Sequence, residues 1–288
     1  MPGGRSRSFR LGDRSELLVE HLLAGVAFTT RVPRQEDIGI DFMCSLITGP
    51  RAPLLKAGPF FTAQARSEAQ PLVYEKPHEL EWIRNLENPL LICVADRHAG
   101  AMDVYSTWNL VCAVHGGWKG QKVPSCIRLC PGECWEDWPG VRNNPDGSQD
   151  VLLDKPIIRV THDQIFDEES TAQIAEVLAG WVSIDRVNIV NRYAGLNFVV
   201  SPREYETGKP PGGPHAAVGY WHPQNLPGCM VNLGRSAAAV WNLVEPHQRE
   251  PGLTDQWKAG MPRLRELLLW LCEGDPNLRG FLHNLNGI

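Results

Sequence analysis

The residues best suited to chemistry lie early in the chain. They are an acid in an amphipathic stretch (Glu16 or Glu20), Asp41 within Glu36-Asp37-Ile38-Gly39-Ile40-Asp41-Phe42, and the triplet Gln64-Ala65-Arg66. Together they supply oxygen donors and one permanent cation. Magnesium takes oxygen ligands, commonly one or two carboxylates with phosphate and water in the remaining positions. An ion held that way polarises a phosphate and activates water, which is what phosphodiester cleavage requires. In this set Glu16, Asp41 and Gln64 are the expected metal ligands. Arg66 could clamp the same phosphate with paired hydrogen bonds. It cannot act as a base, since arginine stays protonated to a pH above about 12. Asp37 reads as a loop residue at the strand entrance.

These residues need a scaffold that brings them together. Asp13 and Glu16 have capping-box spacing, and Leu17, Leu18, Val19, Leu22 and Leu23 give a helix its apolar face, with Gly25 as the expected C-cap. Val26 to Val32 reads as a short strand. Ile38 to Ile47 alternates, with Ile38, Ile40, Phe42, Cys44 and Leu46 on one face and Asp41, Met43, Ser45 and Ile47 on the other. Residues 59–67 form the next expected strand. Phe60, Thr62, Gln64 and Arg66 share one of its faces, and Phe61, Ala63 and Ala65 share the other. A helix over 79–86 and strands over 90–95 and 102–107 follow, the last two joined by a turn at His98-Ala99-Gly100. Residues 111–145 are less regular, ending in a surface loop at 143–147. A strand over 157–160 and helices over 170–178, 236–244 and 263–271 complete the reading, with a Pro/Gly-rich connection at 201–214. The expected class is α/β: a mixed central sheet flanked by helices, with a C-terminal α+β region. The expected division is a basic arm over 1–11, a core over 12–110 and an extension over 111–288.

The ordered acid, Asp and Gln-x-Arg set resembles the PD-(D/E)XK nuclease superfamily, in the branch that reads Gln-x-Lys. Asp-Ile-Gly-Ile-Asp-Phe followed by Phe-x-x-Gln-x-Arg-Ser carries the likeness, as does the later strand pair with Asp96 and Val104-Tyr105-Ser106. It covers residues 10–108, and this chain has Arg66 where the branch has lysine. The resemblance implies a restriction-endonuclease-like core, Mg²⁺ or Mn²⁺ as cofactor, nucleic acid (DNA ahead of RNA) as substrate, and an endonuclease role in prokaryotic defence. The competing expectation is a nuclease fold that binds nucleic acid or a protein partner without cutting.

Composition sets the outer bounds. The chain has 288 residues, 43% of them hydrophobic and 21% charged, which suits a packed globular protein and not a disordered one. A net charge of −5 excludes a histone-like basic field over the whole molecule. Local cations remain: Arg5, Arg7, Arg10 and Arg14 near the first helix, and Arg31, Arg34 and Arg51 around the strands. Eight cysteines are too few for a disulfide scaffold. No apolar signal core or membrane span is read, so the expectation is a soluble cytoplasmic chain.

Other constellations rank lower. Cys126, Cys130 and Cys134, with His115 as a fourth ligand, would make a zinc site interrupted by Pro131-Gly132. Cys112 and His115 lie on an expected strand, where a three-residue spacing points side chains to opposite faces. Gly116-Gly117-Trp118-Lys119-Gly120 lacks the Lys-Ser/Thr ending of a phosphate loop. His215, Trp221 and His222 could line a pocket. The late aromatics Trp181, Tyr193, Tyr205, Tyr220, Trp221, Trp241, Trp257 and Trp270 read first as core and second as base-stacking groups. Val240, Leu243, Leu267, Leu268 and Leu271 look like helix-packing faces that could also join copies of the chain.

Overall fold

The computed structural model describes residues 7–33, 39–48, 55–115, 124–134, 140–194, 198–200, 205–211 and 216–218, with helical residues at 262, 264–266 and 268–269. The first half of the chain runs α1 (Arg7–Ala24), β1 (Ala27–Arg31), β2 (Phe42–Thr48), β3 (Lys56–Arg66), β4 (Leu72–Tyr74), α2 (Pro77–Arg84), β5 (Leu90–Asp96) and β6 (Ala101–Ser106). There follow α3 (Leu110–His115), β7 (Ile127–Cys130), β8 (Val141–Asn143), β9 (Gln149–Leu152), β10 (Ile158–Thr161), a 3₁₀ turn (Asp163–Phe166), α4 (Glu168–Ala194), β11 (Phe198–Val200) and β12 (Ala216–Val218).

The protein is mixed α/β. One sheet has six strands in the order β1-β2-β3-β5-β6-β10, and a smaller one has four in the order β4-β7-β9-β8. In the large sheet β3 and β5 run parallel, and the other pairs are antiparallel. The parallel pair needs a crossover, and β4 with α2 supplies it. Strands β11 and β12 pair antiparallel by themselves.

The two faces of the large sheet bury different partners. Phe42, Cys44, Leu46, Phe61, Ala63, Leu91, Cys93, Met102 and Val104 pack with Val19, Leu22 and Leu23 of α1 and with Val177, Leu178, Trp181 and Val182 of α4. On the opposite face Leu90, Ile92 and Tyr105 meet Leu80 and Ile83 of α2, with Leu72, Tyr74, Ile127, Leu129 and Val151 of the small sheet. The alternation expected in β3 is present, with Phe61 and Ala63 fully buried toward α1.

Several expectations are corrected. The arm expected over residues 1–11 is helical from Arg7 onward, and residues 1–6 lie outside the described residues. Asp13 and Glu16 therefore sit inside α1 and not at its start, so Glu16 does not complete a capping box. Ile40 belongs to the α2 side, whereas Phe42 belongs to the α1 side. The strand starts only at Phe42, because Gly39 (φ +83°) and a bend at Asp41 reset the backbone. Cys112 and His115 lie on helix α3, so the opposite-face argument for a strand does not apply. The helix expected over 170–178 runs from Glu168 to Ala194, started by Asp167, whose carboxylate accepts the Ser170 N–H at 2.8 Å. No proline interrupts it between Pro156 and Pro202.

Gly25 ends α1 for a steric reason, since it does not adopt a positive φ. A Cβ there would lie 2.5 Å from Ile165 Cβ and 2.8 Å from its Cγ2. Gly25→Ala should therefore destabilise the protein by about 1–3 kcal/mol, through displacement of the 3₁₀ turn. A urea denaturation midpoint lowered with unchanged slope is the expected readout.

Two compact units divide the chain: Met1–Val190 with Phe198–Val218, and Asn191–Asn197 with Gly219–Ile288. The large sheet takes in β10, from beyond the expected 12–110 core. In the second unit Leu264–Glu266, Leu268 and Leu269 are helical, within the helix expected over 263–271, and Pro262 just before it is helical too. The helix expected over 236–244, with Val240 and Leu243, lies outside the described residues.

Candidate functional site

The bend at Asp41 is stitched to both neighbouring strands. Its backbone N–H donates to Ala63 O at 3.0 Å, and its C=O accepts from Val32 N–H at 2.8 Å. Its side chain does something a regular strand residue does not: Oδ2 accepts the Ala65 N–H at 2.8 Å. The ladder between β2 and β3 would otherwise end there, and the carboxylate continues it by one bond. These two contacts with β3, to Ala63 and Ala65, bracket Gln64. Asp41 and Gln64 are thus direct cross-strand neighbours.

Gln64 and Arg66 extend from β3 toward the α2 side. Tyr74 of β4 donates its hydroxyl to Gln64 Oε1 at 3.4 Å. Burial pushes the Tyr74 hydroxyl well above the ordinary phenol range, and the nearby Arg66 charge works against that rise. Tyr74 therefore stays protonated and orients the Gln64 amide. This residue carried no signal in the sequence reading, because a three-residue strand has too short a period to read.

The helix acids take a different position. Glu20 accepts from Arg31 of β1 at 2.7 Å, a half-exposed ion pair. Arg31 pairs in register with Phe42, next to Asp41, so this ion pair flanks the Asp41 end of the sheet. Glu16 is one turn earlier on the same helical side, about 6 Å further along the axis. α1 covers the face opposite to Gln64 and Arg66. The structure thus sets Asp41, at the bend before β2, beside Gln64 and Arg66 of β3, and Glu16 and Glu20 on the α1 layer. Groups from the two layers can meet only around the strand end, where Asp41 sits.

Asp41 and Gln64 present hard oxygen donors, the type Mg²⁺ and Mn²⁺ select. A carboxylate oxygen that accepts one hydrogen bond keeps further lone-pair capacity. By donor type the two residues suit a divalent ion; by position Gln64 Oε1 faces Tyr74 on the α2 side, whereas the Asp41 charge adds to the rise that burial gives the Cys93 thiol of the α1-side cluster. Among the described residues no group of three or more His, Cys, Asp or Glu is placed to hold a metal. This removes the zinc expectation for Cys126, Cys130 and Cys134. The first two are four residues apart along an extended segment, about 13 Å. Cys130 is buried, and burial pushes its thiol up to about 12. Of the remaining candidates, Asp37, Arg5, Arg34, Arg51, Gly116-Gly117-Trp118-Lys119-Gly120, His215, Trp221 and His222 lie outside the described residues, as do the side chains of Cys112 and His115. Trp181 and Tyr205 are core residues and not stacking platforms.

A charged cluster on the small sheet was also unread. Asp150, buried on β9, is held by Arg128 Nε at 2.6 Å and by Arg142 Nη2 at 2.9 Å, and Arg142 also reaches Glu133. Its only sequence signal is a charge at alternate positions of short apolar strands.

No family model matches the chain, and no curated protein or solved structure matches it either. The mixed α/β architecture and the Asp41–Gln64–Arg66 geometry therefore carry the functional reading. Among the described residues no helix is long and apolar enough to cross a membrane.

Proposed function

We propose that this chain is a nuclease-like protein that hydrolyses phosphodiester bonds in DNA with Mg²⁺ or Mn²⁺. The observation that carries the reading is the bracketing of Gln64 by two hydrogen bonds, one that the Asp41 N–H donates to Ala63 and one that its carboxylate accepts from Ala65. The order α1-β1-β2-β3, a crossover helix and a parallel β5 supports it, being compatible with a restriction-endonuclease-like core. Asp41 and Gln64 would hold the ion, with Glu16 reaching it around the strand end. When bound, such an ion polarises the scissile phosphate and lowers the pKa of a bound water. Arg66 clamps a phosphate oxygen and stabilises charge that develops on it. Tyr74 keeps the Gln64 carbonyl oriented. A cytoplasmic role in prokaryotic defence fits this reading by analogy alone.

Arg66 favours a second reading, in which the site binds nucleic acid without cutting it, because arginine cannot give or take the proton. Asp41→Asn separates the two. Asparagine keeps an acceptor for the Ala65 N–H but loses the charge, so the fold survives where alanine would orphan that N–H. Mn²⁺-dependent cleavage of single- or double-stranded DNA by the wild type, abolished in Asp41→Asn, is the expected result. Salt-dependent binding without cleavage by the wild type, in either metal, gives the site to the second reading.

A further inference from the structure

Two histidines 141 positions apart in sequence meet at the surface of the larger unit. His21 lies in the last turn of α1, and His162 directly follows β10 and leads into the 3₁₀ turn. His21 Nε2 and His162 Nδ1 are 3.1 Å apart, with ring centroids 5.2 Å apart and planes 29° apart. The two ring planes are close to parallel, and these nitrogens lie within hydrogen-bond distance of each other. The in-plane lone pair of an imidazole nitrogen is also the direction in which it binds a metal.

We propose that His21 and His162 form a two-imidazole site for a divalent transition-metal ion, Zn²⁺, Ni²⁺ or Cu²⁺, which ties α1 to the segment leaving β10. Two imidazole nitrogens bound at about 2.0–2.1 Å with angles of about 95–110° lie roughly 3.0–3.4 Å apart, and the observed separation falls in that window. The surroundings favour it independently. The carbonyl end of a helix attracts positive charge, and His21 sits at that end of α1. Phe166, itself 70% exposed, meets the His162 ring edge-on at 5.0 Å and lies 6.2 Å from the His21 ring. The His162 backbone N–H donates to Gly100 O at 3.1 Å, which anchors its position.

In the metal-free pair one ring donates a proton to the other. When the ion enters, the donor ring changes tautomer: its proton moves to its other nitrogen, and both facing nitrogens offer lone pairs. Among the described residues no third His, Cys, Asp or Glu completes a group, so water takes the remaining positions. A nitrogen pair of this kind selects borderline metals and not Mg²⁺. It shares no residue with the Asp41–Gln64–Arg66 set and does not depend on that reading.

The test uses the full chain, stripped with chelator and titrated with Ni²⁺ by calorimetry, with thermal melts in Ni²⁺, Zn²⁺ and Mg²⁺. Wild type should bind an equivalent of Ni²⁺ that His162→Ala and His21→Gln lose or weaken by roughly tenfold or more. Its melting temperature should rise with Ni²⁺ and Zn²⁺, through selective binding to the folded state, and stay unchanged with Mg²⁺. His21→Gln keeps a hydrogen-bonding side chain, so lost binding in it is not a folding defect. The proposal is overturned if the double variant His21→Ala/His162→Ala binds Ni²⁺ as the wild type does, or if the wild type binds none.

Discussion

Trp181→Ala should lower the stability of the larger unit by about 3–5 kcal/mol, the range for truncating a fully buried aromatic side chain. Trp181 is 0% exposed in the middle of α4 and sits edge-on to Tyr205 at 4.9 Å. Removing it bares the aliphatic layer between α4 and the large sheet and takes away the support of Tyr205. Tyr205 in turn donates its hydroxyl to the Lys155 carbonyl, so the damage reaches the segment entering β10. Trp181→Phe should cost far less, about 1–2 kcal/mol. The indole Nε1 is buried with no hydrogen-bond partner among the described residues, and phenylalanine removes that uncompensated donor while filling part of the volume. Equilibrium urea unfolding of the two variants measures the difference. A Trp181→Phe loss well above that range would mean that the indole nitrogen is satisfied in solution.

Asp150→Ala is the second large effect, about 2–3 kcal/mol. Breaking a fully buried ion pair costs roughly 3–5 kcal/mol, and an exposed one contributes roughly 0–1 kcal/mol. Asp150 is 7% exposed, whereas Arg128 and Arg142 are 34% and 52% exposed and can turn partly to water. The loss therefore falls between those limits. It is also pH-dependent. Burial alone would raise the Asp150 carboxyl, but the hydrogen bonds from Arg128 and Arg142 outweigh it and hold the group below the usual carboxylate range. A depressed folded-state value adds stability that is fully present above the unfolded value of about 3.9 and is lost as pH falls through the folded one. The gap between wild type and Asp150→Asn should stay constant from neutral pH down to about 5 and close in stronger acid. A gap that widens in acid would contradict this sign.

Local periodicity explains which parts of the fold were legible in the sequence. Phe61, Ala63 and Ala65 against Thr62, Gln64 and Arg66 is a period-two signal long enough to assign both faces of β3. The apolar run of β5 and the turn at Gly100 were equally direct. Asp41 and Gln64 could be suspected because polar groups in apolar strands need partners. That Asp41 spends one oxygen on the Ala65 N–H could not be read, because it depends on where the β2 ladder ends. The small sheet was unread for another reason. Strands of three or four residues show no period, and β4 finds β7 more than fifty residues downstream. The α1 boundary differs because the capping-box spacing of Asp13 and Glu16 reads as a helix start, whereas the helix runs from Arg7 straight through Gly12.

Strands β6 and β10 are adjacent in the large sheet, and the Ile157 N–H returns to the Val104 carbonyl at 2.8 Å. Residues 107–156 therefore leave and rejoin the sheet at one point, as an inserted cassette would. Shortening the path to a tight hairpin is geometrically simple, yet the excursion is not detachable. It carries β7, β8 and β9, whose Ile127, Leu129 and Val151 cover Ile83, Leu90 and Ile92. An engineered deletion would expose that greasy surface and strand β4 without a neighbour. Any minimal version of this scaffold has to keep the excursion or supply new cover for the side it protects.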